Sequence, residues 1–117
     1  MLNRVDISLR GIEATDALER LIDEEARKLE RVYERVRSCQ VVAEALPRQK
    51  QRSAHVAVRL IIGLPGKEIV VNREHGADVR LAVSEAFAAA ATQLKDHVRR
   101  LDRREGRCAK ETGNRGR

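Results

Sequence analysis

The sequence predicts an α+β domain: a single sheet of four strands with two helices packed on one face, in β-α-β-β-β-α order. Three observations carry that prediction. Two long segments repeat apolar residues at spacings of three and four, the signature of an amphipathic helix. Four short segments alternate apolar with polar residues, or run apolar between turn residues, as strands do. Each helix has only one apolar stripe, so one sheet face suffices to bury both. A chain of 117 residues is long enough for one modest core, and it contains no internal repeat.

Val5, Ile7 and Leu9 alternate with Asp6, Ser8 and Arg10, which reads as a half-buried strand ending at Gly11. Thr15 then offers an N-cap, with Asp16 and Glu19 favourably placed in the first turn. Leu18, Leu21, Ile22, Ala26, Leu29, Val32 and Val36 follow, giving a helix of about 20 residues. Its polar face mixes signs, with Glu24 placed four residues before Lys28. Residues 38–46 turn strand-like until Pro47 stops them. In the next run Ala54, Val56, Val58, Leu60 and Ile62 point one way, and His55, Ala57 and Arg59 the other. Pro65-Gly66 supplies turn chemistry and residues 68–71 a further short strand, so the two runs form an antiparallel hairpin. His75-Gly76 ends that pattern and Asp78 caps a second helix. Val79, Val83, Phe87, Ala90, Leu94, Val98 and Leu101 are its stripe, and the alanine run 88–91 permits close packing against a neighbour. Periodicity fades beyond Arg104. The domain is expected to span 1–104, with 105–117 as a flexible basic tail.

Composition excludes several classes. Hydrophobic residues at 42% and charged residues at 36% suit a globular domain rather than a disordered chain. No apolar N-terminal segment or membrane-length run is present, so a cytoplasmic protein without membrane contact is expected. Cys39 and Cys108 lack metal-ligand spacing; Cys39 reads as a small buried hydrophobe and Cys108 falls in the tail. No metal and no cofactor are expected. His55 on a strand face, His75 in a loop and His97 on a helix flank are isolated from one another. Asp23, Glu24 and Glu25 form a solvated acidic cluster with no partner group, and no nucleophile motif is present. An enzyme is not expected.

Charge points instead to a polyanion. The net charge is +6, and it is concentrated. Residues 47–59 hold Arg48, Lys50, Arg52 and Arg59 without an acid, and a second basic zone begins at Lys95 and continues to Arg117. With Lys95 set at 0° on a helical wheel, Arg99 falls near about 40° and Arg103 near about 80°. Phe87, Leu94, Val98 and Leu101 fall at about 240–300° on the same wheel. Lys95, Arg99 and Arg103 therefore form a ridge away from the core, flanked by Arg100 and Arg104. The small residues Ser84, Ala88 and Thr92 continue it without obstructing an approaching backbone. Lys28 and Arg31 border it if the helices lie side by side. Aromatic residues are scarce, with Tyr33 and Phe87 alone, so phosphate contacts rather than base stacking are expected to carry binding.

Thr15-Asp16-Ala17-Leu18, Lys28-Leu29-Glu30-Arg31, Pro65-Gly66 and Gln93-Leu94-Lys95, in this order and spacing, make residues 1–104 resemble a known family. These are the ribosome hibernation-promoting factors, or ribosome-associated inhibitors, also labelled sigma-factor modulation proteins. The resemblance implies a layout similar to double-stranded RNA-binding domains and a place on the small ribosomal subunit. There such a factor occupies the channel of messenger and transfer RNA and blocks translation under stress, without catalysis. Family basic positions fall on Lys28, Arg31, Lys95, Arg99 and Arg100. Asp78 keeps the family's pattern, whereas Arg80 stands where the family commonly has Tyr and Ser84 where it has Asp. Both changes make the helix more basic, which adds Arg80 to the candidate RNA-binding set with Arg103 and Arg104. The long form's dimerisation domain does not fit in this length, so a monomer is expected.

The leading expectation is a translation inhibitor bound to the small subunit and its rRNA through a basic helical surface, with no small-molecule substrate. Two alternatives stay open. One is a protein-interaction regulator of the sigma-factor-modulator type, docking its bare sheet face or the 88–91 surface. The other is a generic binder of structured RNA.

Overall fold

A computed structural model of the chain describes residues 4–46, 55–76 and 78–109. The elements are β1 (Arg4–Arg10), α1 (Asp16–Val32), β2 (Ser38–Leu46), β3 (His55–Leu64), β4 (Lys67–His75) and α2 (Val79–Ala109). The four strands make one sheet in the order β1-β2-β3-β4. β1 and β2 are parallel, joined through α1, while β2, β3 and β4 form an antiparallel meander. This is the α+β arrangement the residue periods predict.

Strand alternation decides which face is covered. Cys39, Val41 and Ala43 of β2, Val56, Val58, Leu60, Ile62 and Leu64 of β3, and Ile69 and Val71 of β4 are buried. They meet Leu18, Ile22, Ala26 and Leu29 of α1 and Val83, Phe87, Ala90 and Leu94 of α2. Val5, Ile7 and Leu9 of β1 complete the layer at its edge. No polar side chain is buried among the described residues. The opposite sheet face carries no helix. Across it run Ser8, Val42, Arg59 and Asn72 in one row, and Arg10, Glu44, Ala57 and Glu74 in the next.

Both helix starts are capped by side chains, which satisfies backbone donors that have no partner inside the helix. Thr15 Oγ1 accepts from the Leu18 N–H at 3.1 Å. Asp78 Oδ1 accepts from the N–H groups of Arg80 and Leu81 at 3.0 and 3.2 Å. α1 is shorter than its apolar stripe suggests. It ends at Val32, and Tyr33 turns into extended backbone while its N–H still donates to the Leu29 carbonyl. Val36 is fully buried, but in the connector rather than on the helix. A backbone bond from Arg37 N–H to the Gly63 carbonyl at 2.8 Å fixes that connector to β3.

The hairpin turn is as the sequence reads. Gly66 follows Pro65 at φ +72°, the pairing of a type II turn, and Leu64 faces Lys67 across it. β4 is longer than residues 68–71 and reaches His75, so that residue closes a strand rather than sitting in a loop.

Two further expectations change. The packing alanines of α2 are Ala82, Ala86 and Ala90, spaced by four and fully buried. Within the 88–91 run only Ala88 is exposed, so the run is not a free docking surface. α2 also continues to Ala109, beyond the boundary at 104 that loss of apolar periodicity suggests, and takes in the Cys108 position. Arg, Glu and Ala are good helix formers, and propensity carries the helix on where no core face is needed. Residues 110–117 of the expected tail lie outside the described residues, as does the loop holding Arg48, Lys50 and Arg52.

Candidate nucleic-acid interface

α2 presents a face to solvent opposite the sheet. Ala88, Thr92, Lys95, Arg99 and Arg103 are all exposed, one turn after another. The reason is local: Val83, Phe87, Ala90 and Leu94 are held in the core, so helical geometry turns the residues between them outward. The cations gather in the second half of the helix, with Lys95, Arg99 and Arg103 all more than one turn short of its end at Ala109.

The ridge is not a bare row of charge. Asp96, which a count of basic positions passes over, faces it from the side. Arg99 Nη2 lies 3.2 Å from Asp96 Oδ1, and Arg100 Nη2 contacts Asp96 Oδ2. Both guanidiniums stay well over half exposed, so these pairs are solvent-screened and open readily to a competing anion. Lys95 and Arg103 have no ion pair among the described residues.

The remaining candidates are more dispersed. Lys28 is exposed on α1 and pairs with Glu25 at 3.3 Å, rather than with Glu24 four residues back. Arg31 is exposed in the last turn of α1. Because α1 packs directly against α2, Lys28 and Arg31 belong to the same helical layer as the ridge. Arg80 is exposed in the first turn of α2, fifteen residues and about 22 Å along the axis from Lys95. It is therefore not part of the ridge's basic end. Arg104 lies within α2, but its side chain is outside the described residues. Arg59 points from the uncovered sheet face, beside Val42 and Asn72, away from the helices. It does not join the second basic zone.

The other titratable groups are engaged structurally. His55, on the open sheet face, is largely covered, with Nε2 3.3 Å from Glu74 Oε1. His75 Nε2 lies 3.6 Å from Glu85 on α2, and its Nδ1 is buried without a hydrogen-bond partner. In the acidic cluster of α1, Asp23 pairs with Arg27 and Glu25 with Lys28, both at the surface, while Glu24 is exposed. Burial pushes the Cys39 thiol up to about 12, with a smaller push from the nearby Asp6 carboxylate. Among the described residues no cluster of three or more His, Cys, Asp or Glu gathers to hold a metal. No helix there is long and apolar enough to cross a membrane.

One grouping escapes any reading by sequence period. Tyr33, past the end of α1, meets His97 of α2 edge to face, with ring centroids 6.0 Å apart and planes at 77°. They stand 64 positions apart, so no local spacing signals the pair.

Fold and surface together define a class: a small βαβββα domain with a basic helix end held outward on a two-helix layer. Known proteins place it further. The chain belongs to the family described as Sigma 54 modulation protein / S30EA ribosomal protein, which matches residues 5–102. It is 30% identical over 106 residues to the ribosome hibernation promoting factor of Azotobacter vinelandii, covering 88% of this chain and 91% of that protein. Among solved structures it resembles the N-terminal domain of Thermus thermophilus Protein Y, with TM-score 0.66 and 25% identity over 83% of this chain and 99% of that one. A ribosomal subunit interface protein from Coxiella burnetii shares the fold, with TM-score 0.65 and 17% identity over 80% and 94% of the two chains.

Proposed function

We propose that this protein is a hibernation factor that binds the small ribosomal subunit and silences translation by filling the messenger and transfer RNA channel. The observation that carries this reading is the outward row of Lys95, Arg99 and Arg103 on α2, with Lys28 and Arg31 on the adjoining helix. Cations spaced by one turn on a single helix suit successive phosphates, and each phosphate neutralised releases counterions and lowers the free energy of the complex. The uncovered sheet face offers no comparable row of cations, because Arg10, Arg59 and Arg73 are interspersed there with Glu44 and Glu74. RNA therefore approaches from the helix side. The action is steric occupation and needs no catalytic group, cofactor or small-molecule substrate. A factor acting on ribosomes in this way works in the cytoplasm.

The test is co-sedimentation with small subunits across a salt series. The wild-type chain is expected to bind with a steep salt dependence, and Lys95→Glu/Arg99→Glu/Arg103→Glu to lose binding while staying folded. Retention of binding by the triple variant overturns the reading. Equal affinity for a plain RNA duplex points instead to a general RNA binder. Salt-insensitive capture of a protein partner without rRNA favours the sigma-factor-modulator alternative.

A further inference from the structure

We infer that a second site, a cleft at the end of the domain where β3 turns into β4, binds a nucleoside phosphate. The inference rests on the proposal that the chain works on RNA, and it adds a contact of a different kind from the ridge.

Three segments remote in sequence converge there. The connector after α1 contributes Tyr33 and Arg35, the hairpin turn Lys67, and α2 His97 and Arg100. They surround a cleft of about 580 Å³. That volume lies within the range of about 300–1,000 Å³ typical of sites for small organic ligands.

The charges around it are unbalanced. Arg35, Lys67 and Arg100 face the cleft against one carboxylate, Asp102. Arg35 and Lys67 have no ion pair among the described residues, and Arg100 shares Asp96 with Arg99. Folding brings like charges from three separate segments to one concavity, and an arriving anion relieves that repulsion. A bare phosphate would need the cations alone. Here the lining also includes the apolar side chains of Val98 and Leu101 and the paired rings of Tyr33 and His97. The edge-to-face contact holds these rings in place in advance, so a base that lies against them orders little that was mobile. Cations for a phosphate and rings with apolar surface beside them for a base are the two matches that single nucleotides take in known sites.

The cleft is separate from the ridge. Arg100 is rotated about 140° around α2 from Lys95, toward the flank where His97 meets Tyr33. The ridge follows a run of phosphates, while the cleft takes one unstacked nucleotide. That nucleotide comes either from a single-stranded stretch of RNA or from the free pool.

Amide shifts of the full chain, titrated with AMP, an oligoadenylate strand and inorganic phosphate, test this. AMP or the strand is expected to move the amides of Arg35, Gly66, Lys67 and His97. Arg35→Glu/Lys67→Glu is expected to weaken that binding by about tenfold or more with the unligated spectrum otherwise preserved. Binding to the strand but not to AMP assigns the site to an RNA nucleotide; equal binding of AMP assigns it to a free one. Two results overturn the inference: no shift at these amides with either nucleotide, or inorganic phosphate binding as tightly as AMP. Lys95→Glu/Arg103→Glu separates the two readings. It is expected to lose small-subunit binding and to keep the AMP response of the cleft, so either proposal can fail alone.

Discussion

Asp96 accepts a hydrogen bond from the Arg99 guanidinium at 3.2 Å, three residues apart on the exposed side of α2. The same carboxylate contacts Arg100. One acid thus restrains a ridge cation, Arg99, and a cation of the neighbouring cleft, Arg100. An RNA phosphate must compete with it, and the competition is mild because exposed pairs of this kind contribute about 0.2–1 kcal/mol. Replacement Asp96→Asn keeps the side chain's shape and removes the competing charge. The variant is expected to bind small subunits about two- to five-fold more tightly at low salt. Above physiological salt the gain should shrink as screening grows. Anisotropy titrations at several salt concentrations measure it, and weaker binding by Asp96→Asn would mean that the acid positions the arginines instead.

Gly66 and Gly76 give a paired test of the hairpin. A methyl group added at either would meet nothing within 4 Å, yet Gly66 has φ +72° and Gly76 does not have positive φ. Left-handed backbone costs a residue with a Cβ roughly 1–2 kcal/mol. Gly66→Ala is therefore expected to lower the stability by about 1 kcal/mol in urea unfolding. Gly76→Ala should be neutral or slightly stabilising, because it reduces the freedom of the unfolded chain. Equal effects at both would show that the left-handed dihedral angle does not set the cost.

Which alanine matters follows from burial and not from the run in the sequence. Ala86 is fully buried in the core and Ala88 is exposed two residues later. Ala86→Leu must push neighbouring elements apart and is expected to cost about 1–3 kcal/mol. Ala88→Leu is expected to change stability by less than about 0.5 kcal/mol. Thermal melts distinguish them directly.

Those alanines also show where the sequence is legible. The element order, both caps and the Pro65-Gly66 turn follow from local rules, because each needs only a few neighbouring residues to be satisfied. The outward row of Lys95, Arg99 and Arg103 was readable for the same reason: helical period alone fixes it once Phe87 and Leu94 are buried. The end of α1 was not, since Val36 reaches the core through a turn that a period of three and four cannot tell from helix. The extent of α2 to Ala109 is not legible either, because apolar periodicity ends near Leu101 while helix propensity does not. The pairing of Tyr33 with His97 and the gathering of Arg35, Lys67 and Arg100 depend on tertiary packing. Only the fold brings such distant positions together.

Cys39 makes the core's pH response testable. In the native state its thiol is pushed from 9.0 up to about 12, chiefly by burial and then by Asp6. A raised value means the folded state keeps the proton that the unfolded chain gives up. Its contribution to stability is complete below pH 9.0 and is lost as the pH rises toward about 12. Within that window one proton separates the two states, and stability falls by about 1.4 kcal/mol per pH unit from this group. Cys39→Val removes the titrating group at a similar volume. In a Cys108→Ser background, urea unfolding at pH values between 9.0 and about 10.5 should show a shallower decline for Cys39→Val than for the chain that keeps Cys39. A thiol reagent at neutral pH should label Cys39 only at the rate of unfolding. Parallel pH profiles, or rapid labelling of the folded protein, would mean that β2 opens to solvent far more readily than its burial implies.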